Sequence, residues 1–197
     1  MELILGVVLV VLGYLSGSLS CAVIVCRILK LPDPRQKGSG NPGATNVLRL
    51  GGKQAAALTL AGDMLKGAIP VLIAHLLTDS PTILASTAVA AVVGHLYPVF
   101  FQFKGGKGVA TAFGAVAALI PPVALFMAAV WVLVAMASRY ASLASMGAAA
   151  AAPLFALVFF REPAYIVALL VIAGLLIYRH KGNIERLKNG TESEISL

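Results

Sequence analysis

The chain has 197 residues, of which 59% are hydrophobic and only 12% are charged, and its formal net charge is +7. A soluble globular domain would carry charge on about a quarter of its residues, so this composition excludes that class. The apolar residues lie in runs that are long enough to cross a hydrocarbon core of ~30 Å. We therefore expect an all-α integral membrane protein, folded as a single polytopic domain over residues 1–197.

The apolar runs predict a bundle of about seven transmembrane helices, some of them short or broken by proline. The fourth and fifth spans divide one long run at Pro121-Pro122, where proline removes a helix hydrogen bond and restricts the residue before it. No positively charged n-region precedes the first run, so we expect that run to stay as a membrane helix. In chain order the spans cover residues 3–25, 54–76, 82–103, 109–120, 122–137, 141–160 and 164–178.

The distribution of positive charge predicts the orientation in the membrane. With seven spans, all of the fifteen Lys and Arg residues except Lys66 and Arg161 fall on one side. The positive-inside rule makes that side cytoplasmic, so the N-terminus is predicted to be periplasmic and the C-terminus cytoplasmic. A single kinked span through Pro121 would instead place Lys104 and Arg139 on opposite faces. Because topology accounts for the basic balance, nucleic acid is not predicted as a partner.

Between the first two spans, residues 37–49 form a polar, glycine-rich stretch that we expect to be loop and not helix. Glycine allows successive backbone N–H groups to turn towards an anion, and cations at the edges complete such a nest. An ordinary interhelical loop explains the composition about as well. Residues 38–43 match G-x-G-x-x-G, but a membrane helix precedes them where a dinucleotide site needs a strand. The candidate anion-binding side chains are Lys37, Ser39, Asn41, Thr45, Asn46 and Arg49.

The second cytoplasmic loop, Lys104-Gly105-Gly106-Lys107-Gly108, is the glycine–lysine loop. It lacks the leading glycine and the Lys-Ser/Thr ending of a nucleotide P-loop. Backbone N–H groups with lysine beside them nevertheless suit a phosphate group in general. The alternative is a positive-inside loop with flexible glycines.

Two polar residues mark the end of the last span. His180 lies where this span meets the tail, with Asn183 beside it, and a histidine there could orient or deprotonate a hydroxyl near neutral pH. An interfacial histidine without a role fits equally well. Ser142, at the start of the sixth span, suits either small-residue packing or a substrate contact.

Three ionisable residues lie within the predicted spans. Asp63 and Lys66 are three residues apart on one helix face, and we expect them to face the bundle and pair with each other, with a Lys66 that faces the site as the alternative. For His95, a structural hydrogen bond and a functional role both stay open. The histidines are scattered and acidic clusters are missing, so neither a metal site nor a cofactor is predicted.

Three motifs make the chain similar to a known family. They are residues 38–46 (GSGNPGATN), residues 94–111 (GHLYPVFFQFKGGKGVAT), and Arg179-His180 followed by Asn183-Ile184 and Arg186-Leu187. Together they resemble the three motifs of the bacterial acyl-phosphate:glycerol-3-phosphate acyltransferase family, and the resemblance covers nearly the whole chain.

The resemblance implies a multi-pass enzyme of the bacterial inner membrane with its active site on the cytoplasmic side. Such an enzyme moves an acyl group from acyl phosphate to the 1-hydroxyl of sn-glycerol 3-phosphate and releases lysophosphatidate and phosphate. This is the first acylation of phospholipid synthesis and uses no cofactor. The expected partners are these two substrates and membrane lipid, with the protein itself a monomer.

The resemblance also implies roles for individual residues. His180 and Asn183 orient the attacking hydroxyl, and with Ser39 they form the catalytic set. The backbone of residues 105–108 holds the acyl-phosphate group, with Ser142 as a weaker contact. The residues implied to bind phosphate are Ser39, Asn41, Thr45, Asn46, Arg49, Lys104, Gly105, Gly106, Lys107, Gly108 and Ser142.

Two other functional classes compete with the enzyme. A transporter of organic phosphates could use the same loops for passage, but it predicts a polar route between the two faces. The external half has only Asp79, Arg161 and Glu162 near its turns. A non-catalytic membrane scaffold gives no reason for two loops rich in glycine and lysine.

Overall fold

A computed structural model describes residues 1–195, and over this range the chain contains nine α-helices and no β-strand. The helices lie in two compact units, Met1–Leu119 with α1–α5 and Ile120–Leu197 with α6–α9. The helices are α1 (Glu2–Gly17), α2 (Cys21–Ile28), α3 (Ala44–Leu77), α4 (Pro81–Leu96), α5 (Val109–Leu119), α6 (Pro121–Ser138), α7 (Ala141–Phe159), α8 (Pro163–Arg179) and α9 (Lys181–Lys188), with a 3₁₀ turn at Val99–Phe101.

The length and hydropathy of the helices confirm the expected all-α membrane fold. Four segments in the described part are long and apolar enough to cross a membrane: Ala44–Leu77, Pro81–Phe101, Pro121–Ser138 and Ala141–Phe159. The number rises to six if the bent pairs α1–α2 and α8–α9 are each one span. Helix α5 corresponds to the fourth predicted span. It is apolar but has only 11 residues, fewer than the four long helices. The break at Pro121 is present, because α5 ends at Leu119 and α6 begins at Pro121.

Two details of the predicted helix boundaries are wrong. The first span is not one helix, because α1 and α2 meet at a bend of 41°. Residues 44–49 are helical, since α3 begins at Ala44 and continues to Leu77 with an interruption at Gly52, whose φ is 76°. The tail begins with α9, an eight-residue helix that is polar as expected.

Small residues bring the helices of the first unit close together. A Cβ on Gly17 of α1 would collide with the carbonyl of Ala91 in α4, and a Cβ on Gly94 would collide with the carbonyl of Tyr14. The pair α3 and α5 is packed in the same reciprocal way, through Gly67 and Gly114. Backbones can approach this closely in a membrane because the interface residues are small.

Proline at position 70 leaves one buried carbonyl of α3 without its helical donor. Pro70 has no N–H, so the carbonyl of Lys66 cannot form the usual i to i+4 hydrogen bond. The hydroxyl of Ser16 in α1 donates to this oxygen at 2.8 Å. In an apolar environment no water can donate a hydrogen bond to this oxygen. The hydroxyl of Ser16 therefore takes the place of the missing donor.

The second unit is built around α7, which packs against both α6 and α8. Aromatic rings of α6 and α7 stack, with the ring centroids of Phe126 and Phe155 4.2 Å apart. Nε1 of Trp131 in α6 donates to Oγ of Ser145 in α7 at 3.1 Å. The buried face of α7 carries alanine at every fourth position, which favours close packing: Ala144, Ala148, Ala152 and Ala156.

Candidate active site

The conformation of the loop before α3 depends on the side chain of Asn46. This residue lies in the first turn of α3 and is only 2% exposed. Its Nδ2 donates to the carbonyls of Pro34 at 2.8 Å and Lys37 at 3.0 Å, and its Oδ1 accepts from the backbone N–H of Ser39 at 3.0 Å. Both amide protons are thus used within the loop. Asn46, predicted to contact phosphate, instead ties three points of the loop together in this structure.

Gly38 is required for this arrangement. Its φ is 64°, and a Cβ at this position would collide with Oδ1 of Asn46. A residue with a side chain would therefore meet both a strained backbone and a steric clash. The sequence pattern singled out Gly38 as part of a loop, and the structure shows why a side chain is not tolerated at this position.

An ion pair stabilises the turn that leads into this loop. The guanidinium of Arg35 contacts the carboxylate of Asp33, with a distance of 2.7 Å between Nη2 and Oδ2. The side-chain hydrogen bond from Arg35 lowers the pKa of Asp33 below its ordinary value, outweighing the opposing effect of burial. Cζ of Arg35 also lies 5.9 Å from the ring centroid of Phe101, which precedes the glycine–lysine loop.

Other candidate residues of the 37–49 stretch face outwards. Ser39, Thr45 and Arg49 are exposed, and Asn41 is half-buried. Because α3 begins at Ala44, Thr45 and Arg49 are four residues apart on one helix and share a face. The start of this helix also directs backbone N–H groups and the positive end of its dipole towards any anion bound there. A hydroxyl, a guanidinium and a helix N-terminus are thus available to one phosphate group.

The glycine–lysine loop packs against the end of α4. Gly105, Gly106 and Gly108 are buried, Lys107 is half-buried, and Lys104 is exposed. The N–H of Gly106 donates to the carbonyl of His95 at 3.2 Å. A Cβ on Gly106 would collide with the ring of His95 and would lie 2.9 Å from the carbonyl oxygen of Pro42. The structure therefore brings the two predicted anion-binding loops of the first unit next to each other.

The three ionisable residues of the predicted spans, Asp63, Lys66 and His95, are buried. Nζ of Lys66 is 2.8 Å from Oδ1 of Asp63, which confirms the predicted pairing. Nζ of Lys66 also donates to the carbonyl of Leu19, at 2.5 Å, where the chain passes from α1 to α2. Nδ1 of His95 lies 3.0 Å from Oγ1 of Thr111. The histidine thus has the structural hydrogen bond that was one of its two interpretations.

In the second unit, the ring of His180 is oriented by a backbone carbonyl. His180 is 3% exposed, and its Nδ1 lies 2.7 Å from the carbonyl oxygen of Leu176. A carbonyl oxygen can only accept, so Nδ1 carries the proton and Nε2 is the basic nitrogen of the neutral ring. This tautomer suits a ring that accepts a hydrogen bond from a hydroxyl through Nε2.

Glu192 joins two candidate side chains of the second unit, Asn183 and Ser142. Its Oε1 accepts from Nδ2 of Asn183 at 2.6 Å and from Oγ of Ser142 at 2.8 Å. Its Oε2 accepts from Nε of Arg186 at 2.7 Å. Sequence analysis did not select Glu192, because an isolated glutamate in a polar tail carries no distinctive pattern. Asn183 and Ser142, 41 positions apart, were selected separately and prove to share one acceptor oxygen.

The environment of Glu192 favours its ionised form. Burial by itself would raise the pKa of this carboxyl group, but the hydrogen bonds from Asn183, Ser142 and Arg186 outweigh burial and lower it. Glu192 is therefore a carboxylate at neutral pH and an acceptor in all three bonds. Among residues 1–195, no group of three or more His, Cys, Asp or Glu side chains is placed to hold a metal ion.

Comparison with known proteins gives a consistent result over almost the full chain. Residues 7–190 match the family described as glycerol-3-phosphate acyltransferase. A glycerol-3-phosphate acyltransferase from Methylococcus capsulatus is 55% identical over 95% of this chain and 94% of its own length. One from Halorhodospira halophila is 50% identical over 97% of each chain.

Two solved structures share the fold. The crystal structure of PlsY (YgiH), an integral membrane glycerol 3-phosphate acyltransferase, in its glycerol 3-phosphate form superposes with a TM-score of 0.92 at 46% identity. That alignment covers 97% of this chain and 96% of the other. The lysophosphatidic acid form of the same protein gives a TM-score of 0.90, also at 46% identity, and covers 97% of this chain and 95% of the other.

Proposed function

Since the chain belongs to the glycerol-3-phosphate acyltransferase family, we propose that it transfers an acyl group from acyl phosphate to the 1-hydroxyl of sn-glycerol 3-phosphate. The products are lysophosphatidate and inorganic phosphate. The observation that carries the choice of donor is the contact between two anion-binding loops, where Gly106 lies against the carbonyl of Pro42. Acyl phosphate and glycerol 3-phosphate each bring one phosphate group, and the two loops together offer backbone N–H groups and cations suited to two.

Both loops contribute groups that bind the substrates. Ser39 and Arg49 bind phosphate oxygens of glycerol 3-phosphate together with Lys107, and Lys104, Thr45 and Asn41 assist. The backbone of residues 105–108 binds the phosphate of the donor. Asn46 acts through the loop that it shapes, because its amide protons are donated to Pro34 and Lys37. Neutralising two phosphate groups allows them to approach each other without prohibitive repulsion.

His180 and Asn183 orient the 1-hydroxyl for attack. The proton on Nδ1 of His180 is donated to the carbonyl of Leu176, so Nε2 accepts the hydrogen bond from the hydroxyl. Asn183 is held by Glu192, and Ser142 shares the same carboxylate oxygen. Orientation of this kind contributes a large part of the rate when the electrophile is already activated.

The bond changes follow from the mixed-anhydride chemistry of the donor. The hydroxyl oxygen forms a bond to the acyl carbonyl carbon, and the bond from that carbon to the bridging phosphate oxygen breaks. Phosphate is a good leaving group, so no covalent acyl-enzyme is needed. The hydroxyl proton passes by way of Nε2 of His180 to the departing phosphate, and the enzyme supplies orientation and charge neutralisation.

The acyl chain determines where the reaction takes place. A long acyl chain partitions into lipid, so the donor reaches the protein from the bilayer. We assign the reaction to the cytoplasmic face of the bacterial inner membrane, the face on which the Lys and Arg residues are concentrated. The protein acts as a monomer and a single functional domain.

A comparison of donors tests this proposal. Purified protein in detergent is given glycerol 3-phosphate with either palmitoyl phosphate or palmitoyl-CoA, and lysophosphatidate is measured by mass spectrometry. Product is expected only with palmitoyl phosphate, acylated at the 1-position. Product with palmitoyl-CoA alone would refute the donor, and acylation at the 2-position would refute the assigned hydroxyl.

A further inference from the structure

We propose that His95 is a positioning residue for the donor phosphate and that its hydrogen bond to Thr111 sets the conformation of the glycine–lysine loop. This inference rests on the proposed function, because it concerns the loop to which the acyl phosphate is assigned. His95 does not touch substrate in this account. It acts through the backbone of residues 104–108.

The bond between His95 and Thr111 joins the two ends of the loop. His95 lies in the last turn of α4, before the loop, and Thr111 lies in the first turn of α5, after it. Their side chains meet at 3.0 Å between Nδ1 and Oγ1. One buried hydrogen bond therefore fixes the separation of the two helices from which the loop extends.

His95 also contacts the middle of the loop. Its carbonyl accepts from the N–H of Gly106 at 3.2 Å, and its ring occupies the space that a Cβ on Gly106 would need. A displacement of the ring would therefore move the loop backbone. The same glycine lies against the carbonyl of Pro42 in the other loop.

The buried ion pair of Asp63 and Lys66 lies beside the ring of His95 and restrains it. Nδ1 of His95 lies 3.7 Å from Oδ1 of Asp63, and the same oxygen lies 2.8 Å from Nζ of Lys66. Nζ of Lys66 is in turn bonded to the carbonyl of Leu19. Charges inside a membrane protein are costly to bury and commonly mark functional sites. Here they join the turn between α1 and α2 to α3 and α4, and the bond from His95 to Thr111 extends the connection to α5.

The discriminating variant is Thr111→Val, which removes the hydroxyl and keeps the shape of the side chain. Replacing His95 itself would also remove its contact with the buried carboxylate of Asp63 and so disturb the ion pair with Lys66. Thr111→Ser retains the hydroxyl and should restore the wild-type behaviour. Thr87→Val is the matched control, because Thr87 is equally buried but its hydroxyl donates to the carbonyl of Ile83, within α4.

Two measurements read out the position of the loop. In Thr111→Val the KM for palmitoyl phosphate should rise about tenfold, as expected for loss of one buried hydrogen bond. The KM for glycerol 3-phosphate should rise less, because only Lys104 and Lys107 of its assigned ligands lie in this loop and the loop before α3 is held separately by Asn46. Amide hydrogen exchange of residues 104–108 should accelerate about tenfold, while Thr111→Ser and Thr87→Val stay close to wild type.

The outcomes separate this proposal from the proposed function. If Thr111→Val matches Thr87→Val in both KM for palmitoyl phosphate and loop exchange, His95 is only a packing residue and the proposal is overturned. If the wild-type protein does not use palmitoyl phosphate at all, the assigned donor is wrong. In that case the exchange measurement alone decides whether the bond to Thr111 positions the loop.

Discussion

Replacement of Glu192 by glutamine tests whether the end of the chain is part of the folded second unit. The carboxylate accepts hydrogen bonds from Asn183, Ser142 and Arg186, and its side chain is only 8% exposed. Glutamine has almost the same shape. It keeps one acceptor oxygen but loses the charge, and it presents an N–H₂ group where the guanidinium of Arg186 needs an acceptor.

The expected cost is the sum of two modest effects. The bond to Arg186 is worth only about 0.2–1 kcal/mol, because Arg186 is 47% exposed and solvent screens the pair. The bonds from Asn183 and Ser142 are buried, and a charged acceptor makes each roughly twice as strong as a neutral one. When the acceptor loses its charge, these two bonds weaken, which adds about 1–2 kcal/mol to the cost in stability. A total near 2 kcal/mol lowers the melting temperature of a chain of this length by about 4–8 °C.

Intrinsic fluorescence provides the assay. Trp131 is the single tryptophan of the chain and lies in the same unit as Glu192, so a thermal scan in detergent reports the unfolding of that unit. Glu194→Gln is the matched control, because Glu194 is 56% exposed and lies 3.8 Å from Arg139. The control should melt within about 1–2 °C of wild type. Equal melting temperatures for wild type and Glu192→Gln would refute the assigned role.

The pH dependence of this difference has a definite sign. The folded protein lowers the pKa of Glu192 below its ordinary value of 4.5. A lowered pKa means that the stabilisation is fully present above the pKa of the unfolded chain and is lost as the pH falls through the folded pKa. The gap between wild type and Glu192→Gln should therefore be constant from about pH 8 to about pH 5 and shrink below that range. A gap that widens on acidification would contradict the reasoning.

Variants of the other candidate residues should affect turnover or substrate affinity more than folding. His180→Ala should lower kcat by about 10²–10⁴-fold, since it removes the group that orients the hydroxyl. Lys107→Ala should cost about 10²–10³-fold through lost neutralisation of phosphate. Both should give wild-type elution in detergent chromatography, and retained activity in both would refute the site assignment. Asn46→Ala frees the carbonyls of Pro34 and Lys37, so the KM for glycerol 3-phosphate should rise about tenfold. An unchanged KM would show that the loop before α3 keeps its conformation without the hydrogen bonds of Asn46.

The sequence was sufficient to predict the membrane class and nearly all the helices, because hydropathy and proline position determine both. It did not reveal that α3 begins at Ala44. The polar residues of the 37–49 stretch suggested loop, but Val47 is fully buried with Ala22, Cys26 and Ala55, and tertiary packing overrode the local composition.

The candidate site was predicted as a set of residue types, whereas the structure distinguishes residues that can face a ligand from residues that hold the loops. Asn46 and His95 belong to the second kind, and only distances could show it. Glu192 was not found at all, since its three partners are separated from it by 6, 9 and 50 positions. Contacts between residues so far apart in sequence depend on the tertiary fold, which one sequence does not display.

Acyl transfer from acyl phosphate by attack at the carbonyl carbon is the central claim, and an isotope label tests it most directly. Palmitoyl phosphate carrying ¹⁸O at the bridging position is incubated with the purified protein and glycerol 3-phosphate. Attack at the carbonyl carbon leaves the bridging oxygen with phosphorus, so labelled phosphate and unlabelled lysophosphatidate should appear in equal amounts. Labelled phosphate without lysophosphatidate would indicate hydrolysis, and retention of the label in the acyl product would indicate attack at phosphorus. Either result would contradict the proposed reaction.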